Sequence, residues 1–297
     1  MADFQIFSDG ACDMGHELAK EYDIKIIPFY VSLDHETYYK ELEELSLEKY
    51  YEFLSGDKNY PKTSLPSVQD YIDAFRPALE EGKDLICLTI TATLSSSVQS
   101  AMTAGNMLAE EFPNAKIHIM NSWHCTGSQA LMLMEAAKMK RAGRTMAETI
   151  DYLERAKVDA RIHFMVGDLS YLEVGGRVGK LATLSGSILK IKPIIILKSG
   201  EISIGGVVRS RKKGMQRILE VTKEYFAETK FNPADFYVAV GATTLPEEIP
   251  DMLKMLKDAL PTFNYRPSFS VGATVATHTG TGTLGVCFVK KHEAYGY

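Results

Sequence analysis

Short apolar runs alternate with helix-type segments along the first 160 residues, and this alternation limits the possible folds of the chain most strongly. The segments between the runs show apolar residues at helical spacing and carry helix start signals, such as Ser67. Strands joined through helices lie parallel in a sheet that is covered on both faces. We therefore predict an α/β domain with a parallel sheet flanked by helices. Its buried strands are predicted at residues 4–7, 24–30, 85–90 and 116–120.

The pattern changes after about residue 160, where paired strand signals replace the alternation. Two apolar runs flank the turn residues Ser199 and Gly200, which predicts a β-hairpin. A basic helix, further strands and a second helix follow, which is typical of an α+β domain. We therefore predict two domains, residues 1–160 and residues 161–297, with a ligand site between them.

Composition and charge argue against several classes of function. With a net charge of −5 and a pI near 5.9, the chain lacks the basic balance of a nucleic-acid-binding protein. The cysteines form no CxxC pair, and Cys87 and Cys287 lie within apolar runs, which is typical of buried thiols in a reducing compartment. The sequence shows no signal-peptide pattern and no apolar stretch of about 20 residues. We expect a cytoplasmic protein with no nucleic-acid partner and no stable membrane insertion.

Three short motifs rich in Ser, Thr and Gly stand where an apolar run meets a turn or a helix start. They are residues 62–67 (KTSLPS), 93–100 (TLSSSVQS) and 277–285 (THTGTGTLG). Hydroxyls and free backbone N–H groups at such junctions bind anions. The motifs contain no acid and no thiol, and His278 is the single residue in them of a type that binds metals. They therefore favour binding of a small anionic head group, without a metal and without a catalytic residue.

The first two motifs also have structural interpretations. Pro66 and Ser67 suit a capped loop before a helix, and the alternative is that Thr63 or Ser64 directs a hydroxyl at an anion. Residues 93–100 are either a Ser-rich helix cap or part of a ligand site at the carboxyl end of a strand. A serine nucleophile is a third interpretation, although the motif lacks a Gly-x-Ser-x-Gly elbow.

Basic residues and a histidine extend the set of candidates. Residues 277–285 make a poor strand and a poor helix, so an unusual backbone path is predicted around His278, which is either structural or ligand-binding. Arg177 stands in a Gly-rich turn, where it either caps helix carbonyls or binds a carboxylate or phosphate. The basic run with Arg209 and Arg211 is either a solvated face or a docking patch for an acidic or phosphate-bearing partner.

Taken in order, six motifs resemble those of the DegV family of bacterial fatty-acid-binding proteins, over nearly the whole chain. Departures from the family pattern are Ser96-Ser97 for Gly-Thr, Val98 for Tyr, Gly10 for Ser and Thr281 for Pro. A difference in head-group geometry is therefore expected near Ser96. The motifs that carry the resemblance are residues 8–10, 62–67, 94–101, 172–178, 209–213 and 278–285.

The resemblance implies a long-chain fatty acid, such as palmitate, stearate or oleate, in an apolar tunnel between the two domains. It implies no cofactor and no enzymatic activity of the protein itself. The partner would be the ATP-binding subunit of a fatty acid kinase, and Arg209 and Arg211 are expected at that interface. The residues expected at the ligand carboxylate are Thr63, Ser64, Ser95, Ser96, Arg177, His278 and Thr279.

Two other classes of function stay open on the sequence. One is a serine hydrolase or acyltransferase that uses Ser95 and His278, although no third member of a triad is recognisable. The other is a regulatory lipid sensor whose bound state is read by a partner protein.

Overall fold

The computed structural model describes residues 3–56, 59–179 and 191–297. No helix within these ranges combines the length and the apolar character that a bilayer crossing requires. The strands are β1 (Phe4–Asp9), β2 (Ile24–Ile27), β3 (Tyr30–Ser32), β4 (Tyr39–Lys40), β5 (Lys62–Ser64), β6 (Asp84–Thr89), β7 (Ile117–Asn121), β8 (Arg161–Met165), β9 (Lys192–Lys198), β10 (Glu201–Val208), β11 (Phe236–Ala242), β12 (Asn264–Tyr265), β13 (Phe269–Ser270) and β14 (Leu284–Lys290). The helices are α1 (His16–Glu21), α2 (Leu47–Leu54), α3 (Val68–Glu80), α4 (Ser97–Glu111), α5 (Thr126–Arg141), α6 (Met146–Asp159), α7 (Ser170–Val174), α8 (Arg211–Thr229), α9 (Ile249–Ala259) and α10 (Ala273–Thr279).

The first sheet is parallel throughout, with the strand order β2-β1-β6-β7. Alternate residues of its central strands face opposite sides. Phe7 and Cys87 pack in a core with α3 and α4, whereas Ile6 and Ile86 pack with α5 and α6. Helices therefore cover both faces, and the predicted α/β arrangement of the first part of the chain is confirmed.

The second sheet is mixed, with the order β10-β9-β8-β14-β11-β12 and with β13 also paired to β11. Neighbouring strands are antiparallel, except that β12 and β13 run parallel to β11. Helices α8 and α9 cover one face, in a core with Val238 and Phe288. The predicted hairpin, formed by β9 and β10, and the α+β character of this part are confirmed.

Helices α5 and α6 lie between the two sheets. The core that contains them includes Ile6 and Ile86 from the parallel sheet, together with Ile162 and Cys287 from the mixed sheet. Helix α6 ends at Asp159, and the mixed sheet begins with β8 directly afterwards. The two parts therefore pack closely, and a domain division at residues 160/161 stays a prediction.

A third, small sheet contains residues 62–64 of the first hydroxyl-rich motif. It has the order β4-β3-β5 and is antiparallel. The prediction of one strand over residues 24–30 is wrong, because β2 ends at Ile27 and a separate strand starts at Tyr30. Pro28 follows β2 directly, and its lack of an N–H group prevents the ladder from continuing through it.

A buried carboxylate joins the elements at the carboxyl edge of the parallel sheet. Asp9, at the end of β1, accepts hydrogen bonds from Ile90 N at 2.9 Å and Ser97 Oγ at 2.7 Å through Oδ2. Its Oδ1 accepts from Gln129 Nε2 at 3.0 Å. Burial raises the pKa of Asp9 to about 6, although these donors oppose the increase. The network therefore links β1, the residue after β6, and the first turns of α4 and α5.

Replacing Asp9 with Ala should lower the free energy of unfolding by about 3 to 5 kcal/mol, because Ile90 N would lose its acceptor and Ser97 and Gln129 would each lose one of their buried partners. Urea unfolding followed by circular dichroism measures the change. Asp73→Ala, on the exposed side of α3, is the matched control and should change stability by less than about 0.5 kcal/mol. Equal stability of the two variants would show that the network contributes nothing.

Candidate functional site

A cavity of about 240 Å³ is enclosed by the mixed sheet, α10, β5 and the turn after β6. An apolar cavity with a few convergent polar groups is the usual form of a small-molecule site. Its apolar lining consists of Phe29, Leu65, Ile90, Leu94, Cys125, Ile162, Phe164, Leu172, Leu197, Ile202, Phe269, Val271, Val275 and Cys287. Its polar lining consists of Thr63, Ser64, Ser95, Thr126, Arg177, Thr274, His278, Thr279 and Thr283.

One wall of the cavity is a row of side chains that crosses the mixed sheet. Ile202, Leu197, Ile162 and Cys287 are direct partners on β10, β9, β8 and β14. Adjacent strands lie about 4.8 Å apart, so the row is about 14 Å long. The wall is therefore an elongated apolar surface that runs across the strands.

Six of the seven residues that the sequence places at an anionic head group line this one cavity. Ser96 is the exception: it is the N-cap of α4, is exposed, and does not belong to the cavity lining. The role of all seven as ligand contacts stays a prediction. The six in the cavity are Thr63, Ser64, Ser95, Arg177, His278 and Thr279.

His278 lies in the last turn of α10, so the expectation that residues 277–285 do not form a helix is wrong for the first three of them. The apolar residues before this motif extend the helix into it, and Ala273 and Ala276 are buried on its inner face. The unusual backbone path begins only at Gly280, whose φ is 71°, and continues at Gly282, whose φ is 67°. The tertiary burial of the preceding segment therefore decides where the helix ends.

The His278 ring connects α10 to β5. Its Nε2 lies 2.9 Å from Thr63 Oγ1, and its Nδ1 is buried without a hydrogen-bond partner among the described residues. Gly175 leaves room for Nδ1, since an added Cβ there would lie 2.4 Å from it. Burial and, to a lesser degree, the Arg177 charge lower the pKa of His278 to about 4. The imidazole is therefore neutral at pH 7.

Arg177 supplies a half-buried positive charge close to His278, and we call this part of the cavity its polar end. Its Nε donates to the Leu94 carbonyl at 3.1 Å, and its Nη1 donates to the carbonyl of Gly175, the C-cap of α7. The helix-capping interpretation is therefore confirmed, while the binding of a carboxylate or phosphate stays a prediction for a side chain that also lines the cavity. Burial lowers the pKa of the guanidinium. No carboxylate pairs with it in the described ranges.

Ser95 is not arranged as the nucleophile of a catalytic pair. Its Oγ accepts a hydrogen bond from Ser97 N at 3.3 Å. Where the structure describes the chain, no hydrogen bond joins Ser95 to His278, whose Nε2 is instead next to Thr63. Nδ1 of His278 has no carboxylate behind it among the same residues. The geometry does not favour a serine hydrolase or acyltransferase.

Sequence reasoning missed Thr126 and Thr274, which line the cavity and bind two buried carboxylates. Thr126 Oγ1 donates to Asp13, and Thr274 donates to Glu41 through its hydroxyl and through its N–H at 3.1 Å. Burial and the Glu41 charge raise the pKa of Asp13, and burial raises the pKa of Glu41. The start of α5 is thus bonded to Asp13, and the start of α10 is bonded to Glu41. The sequence signal was weak, since a Thr at a helix start is usually a cap.

The two arginines of the basic run lie in different environments. Arg209 is exposed, and no hydrogen bond or ion pair holds it within residues 3–56, 59–179 and 191–297. Arg211 donates to the Glu248 carboxylate, with Nε 2.6 Å from Oε1, and to the carbonyl of Gly282. The docking role of both stays a prediction, and Arg209 has the side chain that a partner could reach.

One group of three possible metal ligands occurs in the described part of the chain, at Glu135, His292 and Glu293. None of the three lines the cavity. The Glu135 carboxylate already binds Lys138 Nζ at 2.6 Å and His292 Nδ1 at 2.7 Å. These contacts satisfy Glu135 as a structural ion pair.

The low pKa of His278 predicts a pH dependence of stability. In the unfolded chain the His278 imidazole binds a proton near its ordinary pKa of 6.5, whereas in the folded protein its pKa is about 4. Its contribution to the free energy of unfolding is therefore fully present above pH 6.5 and is lost as the pH falls toward 4. His278→Gln should remove about 2 kcal/mol of the loss between pH 7.5 and pH 5 in urea unfolding. The exposed His16→Gln variant should keep the full slope. The same dependence of unfolding free energy on pH in His278→Gln and in the wild type would contradict the lowered pKa of His278. The buried His124 and His163, whose pKa values are also lowered, contribute equally to the wild type and to the variant.

Family and structural comparisons agree along the length of the chain. A family model described as "Uncharacterised protein, DegV family" matches residues 3–291. A DegV domain-containing protein of Halalkalibacterium halodurans is 30% identical over 294 residues, which cover 96% of this chain and 98% of that protein.

Two solved structures show the same fold. A protein of Eubacterium ventriosum, described as a fatty acid (stearic acid)-binding protein, is 36% identical, with a TM-score of 0.92 and coverage of 98% of this chain and 99% of that one. A DegV family protein of Thermus thermophilus, described by its fatty acid binding, is 26% identical, with a TM-score of 0.85 and coverage of 98% and 100%.

Proposed function

We propose, since this chain belongs to the DegV family, that it binds a long-chain fatty acid in the cavity beside α10. The observation that carries the proposal is Arg177, a half-buried cation without a carboxylate partner in the described ranges, at one end of an apolar cavity. A buried charge is costly unless it is paired. A fatty acid supplies both the missing carboxylate and the apolar chain. The stearic acid bound by the Eubacterium ventriosum relative supports this ligand class.

The head group would be held by one charge and several hydroxyls. A guanidinium has five N–H donors, and the protein carbonyls use only part of this capacity at Arg177. Thr63, Ser64 and Ser95 offer hydroxyls in the same cavity. Since His278 is neutral, it contributes a hydrogen bond and not a charge. The carboxylate would therefore be attracted by Arg177 and oriented by the uncharged donors.

The acyl chain would supply most of the binding free energy. Burial of a methylene group contributes about 0.8 kcal/mol, so a chain of palmitate, stearate or oleate length gains far more than one ion pair does. The apolar wall across β10, β9, β8 and β14 offers a surface along which the chain can lie. Specificity for an acid would then come from the head group, and affinity from the chain.

We further propose that the protein is a carrier and not an enzyme, and that it presents the acid to a separate ATP-dependent kinase. In that reaction a carboxylate oxygen attacks the γ-phosphorus of ATP, the bond from that phosphorus to ADP breaks, and an acyl phosphate forms. The carrier needs no cofactor for this role, only its bound fatty acid. The two parts, residues 1–160 and 161–297, would form the two sides of the site. The described cysteines are free and buried, which supports a cytoplasmic location.

Arg177→Met should weaken fatty acid binding about 10- to 150-fold, because a hydrogen-bonded charge contributes about 1.5 to 3 kcal/mol. Displacement of a fluorescent fatty acid measures the dissociation constants, and native mass spectrometry identifies the acid that the purified protein holds. The methyl ester of the same acid is the matched control, since both proteins should bind it equally. Equal loss of acid and ester would show that the variant damaged the cavity. No binding of either by the wild type would overturn the proposed function.

Arg209→Glu should raise the KM of a fatty acid kinase for the loaded carrier and leave kcat unchanged, because reversal of an exposed charge weakens an encounter with an acidic surface. Initial rates of ADP release at varied carrier concentration measure this split. Lys116→Glu, an exposed charge reversal on another part of the molecule, should leave both constants unchanged. Neither variant should change the affinity for the fatty acid. A wild-type KM for Arg209→Glu would exclude this residue from the interface.

A further inference from the structure

Phe269 lies at the opposite edge of the mixed sheet from the polar end of the cavity. The polar end is near β10, because an added Cβ at Gly179, two residues after Arg177, would lie 3.2 Å from Ile202 Cγ1. Phe269 is in β13, which pairs with β11 at Gly241. From β10 to β13 there are five strand spacings, about 24 Å in total. Both Ile202 and Phe269 line the cavity, so a chain that starts at Arg177 and crosses the sheet meets the Phe269 ring last.

The tip of the Phe269 ring occupies a notch between two glycines. A Cβ at Gly241 would lie 2.3 Å from its Cζ, and a Cβ at Gly127 would lie 2.6 Å from its Cε1 and Cζ. Any side chain at either position is therefore incompatible with the present position of the ring. Neither glycine has a positive φ, so the requirement is for space and not for backbone conformation. The notch joins the start of α5 to β11 and holds the ring at the end of the cavity.

This arrangement makes the ring the adjustable part of the wall. The atoms that approach the two glycines are the far end of a side chain with two rotatable bonds, so an added methyl group would move the ring and not the backbone. Phe269 is only partly buried, unlike the closely packed residues of the sheet around it. The length available to a ligand is therefore set by where this ring rests.

We propose that Phe269 is the end wall of the acyl site and that Gly127 and Gly241, by holding its ring, set the longest acyl chain that the protein binds. This inference rests on the proposed function. Affinity rises about fourfold for each methylene group that enters the apolar site, as the free energy of methylene burial requires. The increase stops at the length at which the methyl end of the ligand reaches the ring.

Dissociation constants for saturated acids that differ by two carbons, from laurate to behenate, test the proposal on the full chain. In Phe269→Ala the increase of about fourfold per methylene should continue for two or more carbons beyond the wild-type limit. In Gly241→Ala the limit should move in the opposite direction, because the displaced ring shortens the site. Phe269→Leu should give a smaller extension and replaces Phe269→Ala if that variant does not fold.

Phe231→Ala is the matched control, since it truncates a partly buried Phe in the core of α8 and α9 and should keep the wild-type profile. If the wild type binds the series and the Phe269 and Gly241 profiles coincide with it, the end-wall assignment is wrong and the proposed function stands. If the wild type binds no acid of any length, the proposed function and this inference are both overturned. Opposite shifts in the Phe269 and Gly241 variants would establish the end wall.

Discussion

The buried Asp9 carboxylate is the interaction on which the rest of the site depends. It accepts from the residue after β6 and from the first turns of α4 and α5, so it holds three segments at the carboxyl edge of the parallel sheet. The turn that carries Ser95 lies between two of these contacts. A change at Asp9 would therefore affect all three segments, and with them the turn that forms one side of the cavity.

The charges at the cavity follow from burial. Desolvation keeps His278 neutral, while Arg177 stays charged because an arginine does not deprotonate in proteins. The polar end therefore carries a net positive charge in an apolar setting, and an anion is the ligand that removes this cost. The paired acids Asp13 and Glu41 lie behind Thr126 and Thr274 and not beside Arg177. Within residues 3–56, 59–179 and 191–297, no carboxylate pairs with Arg177 at the position that we assign to a ligand.

Much of the site could be predicted because its residues belong to short motifs at the ends of strands. Thr63 lies in the short strand β5 and Ser95 in the turn after β6, and both line the same cavity as His278. Ser96 has the same residue type as its neighbour, but it is the exposed N-cap of α4 and does not line the cavity. Arg211 has the same sequence context as Arg209, yet Glu248, which is distant in the chain, binds it. Such distinctions depend on neighbours that no local pattern specifies.

By itself, the sequence determined the class of fold and the polar end of the site. Apolar runs that alternate with helices indicate a parallel sheet covered on both faces. Hydroxyl-rich motifs near strand ends are local features that indicate a ligand site in any fold of this class. The tertiary structure alone decided the neutral state of His278, the absence of a counter-ion for Arg177 among the described residues, and the position of the Phe269 ring between Gly127 and Gly241. Each of these arises from burial or close contact between segments far apart in the chain. Desolvation and steric exclusion depend on which atoms lie close together in the folded protein, and the order of residues does not specify these distances.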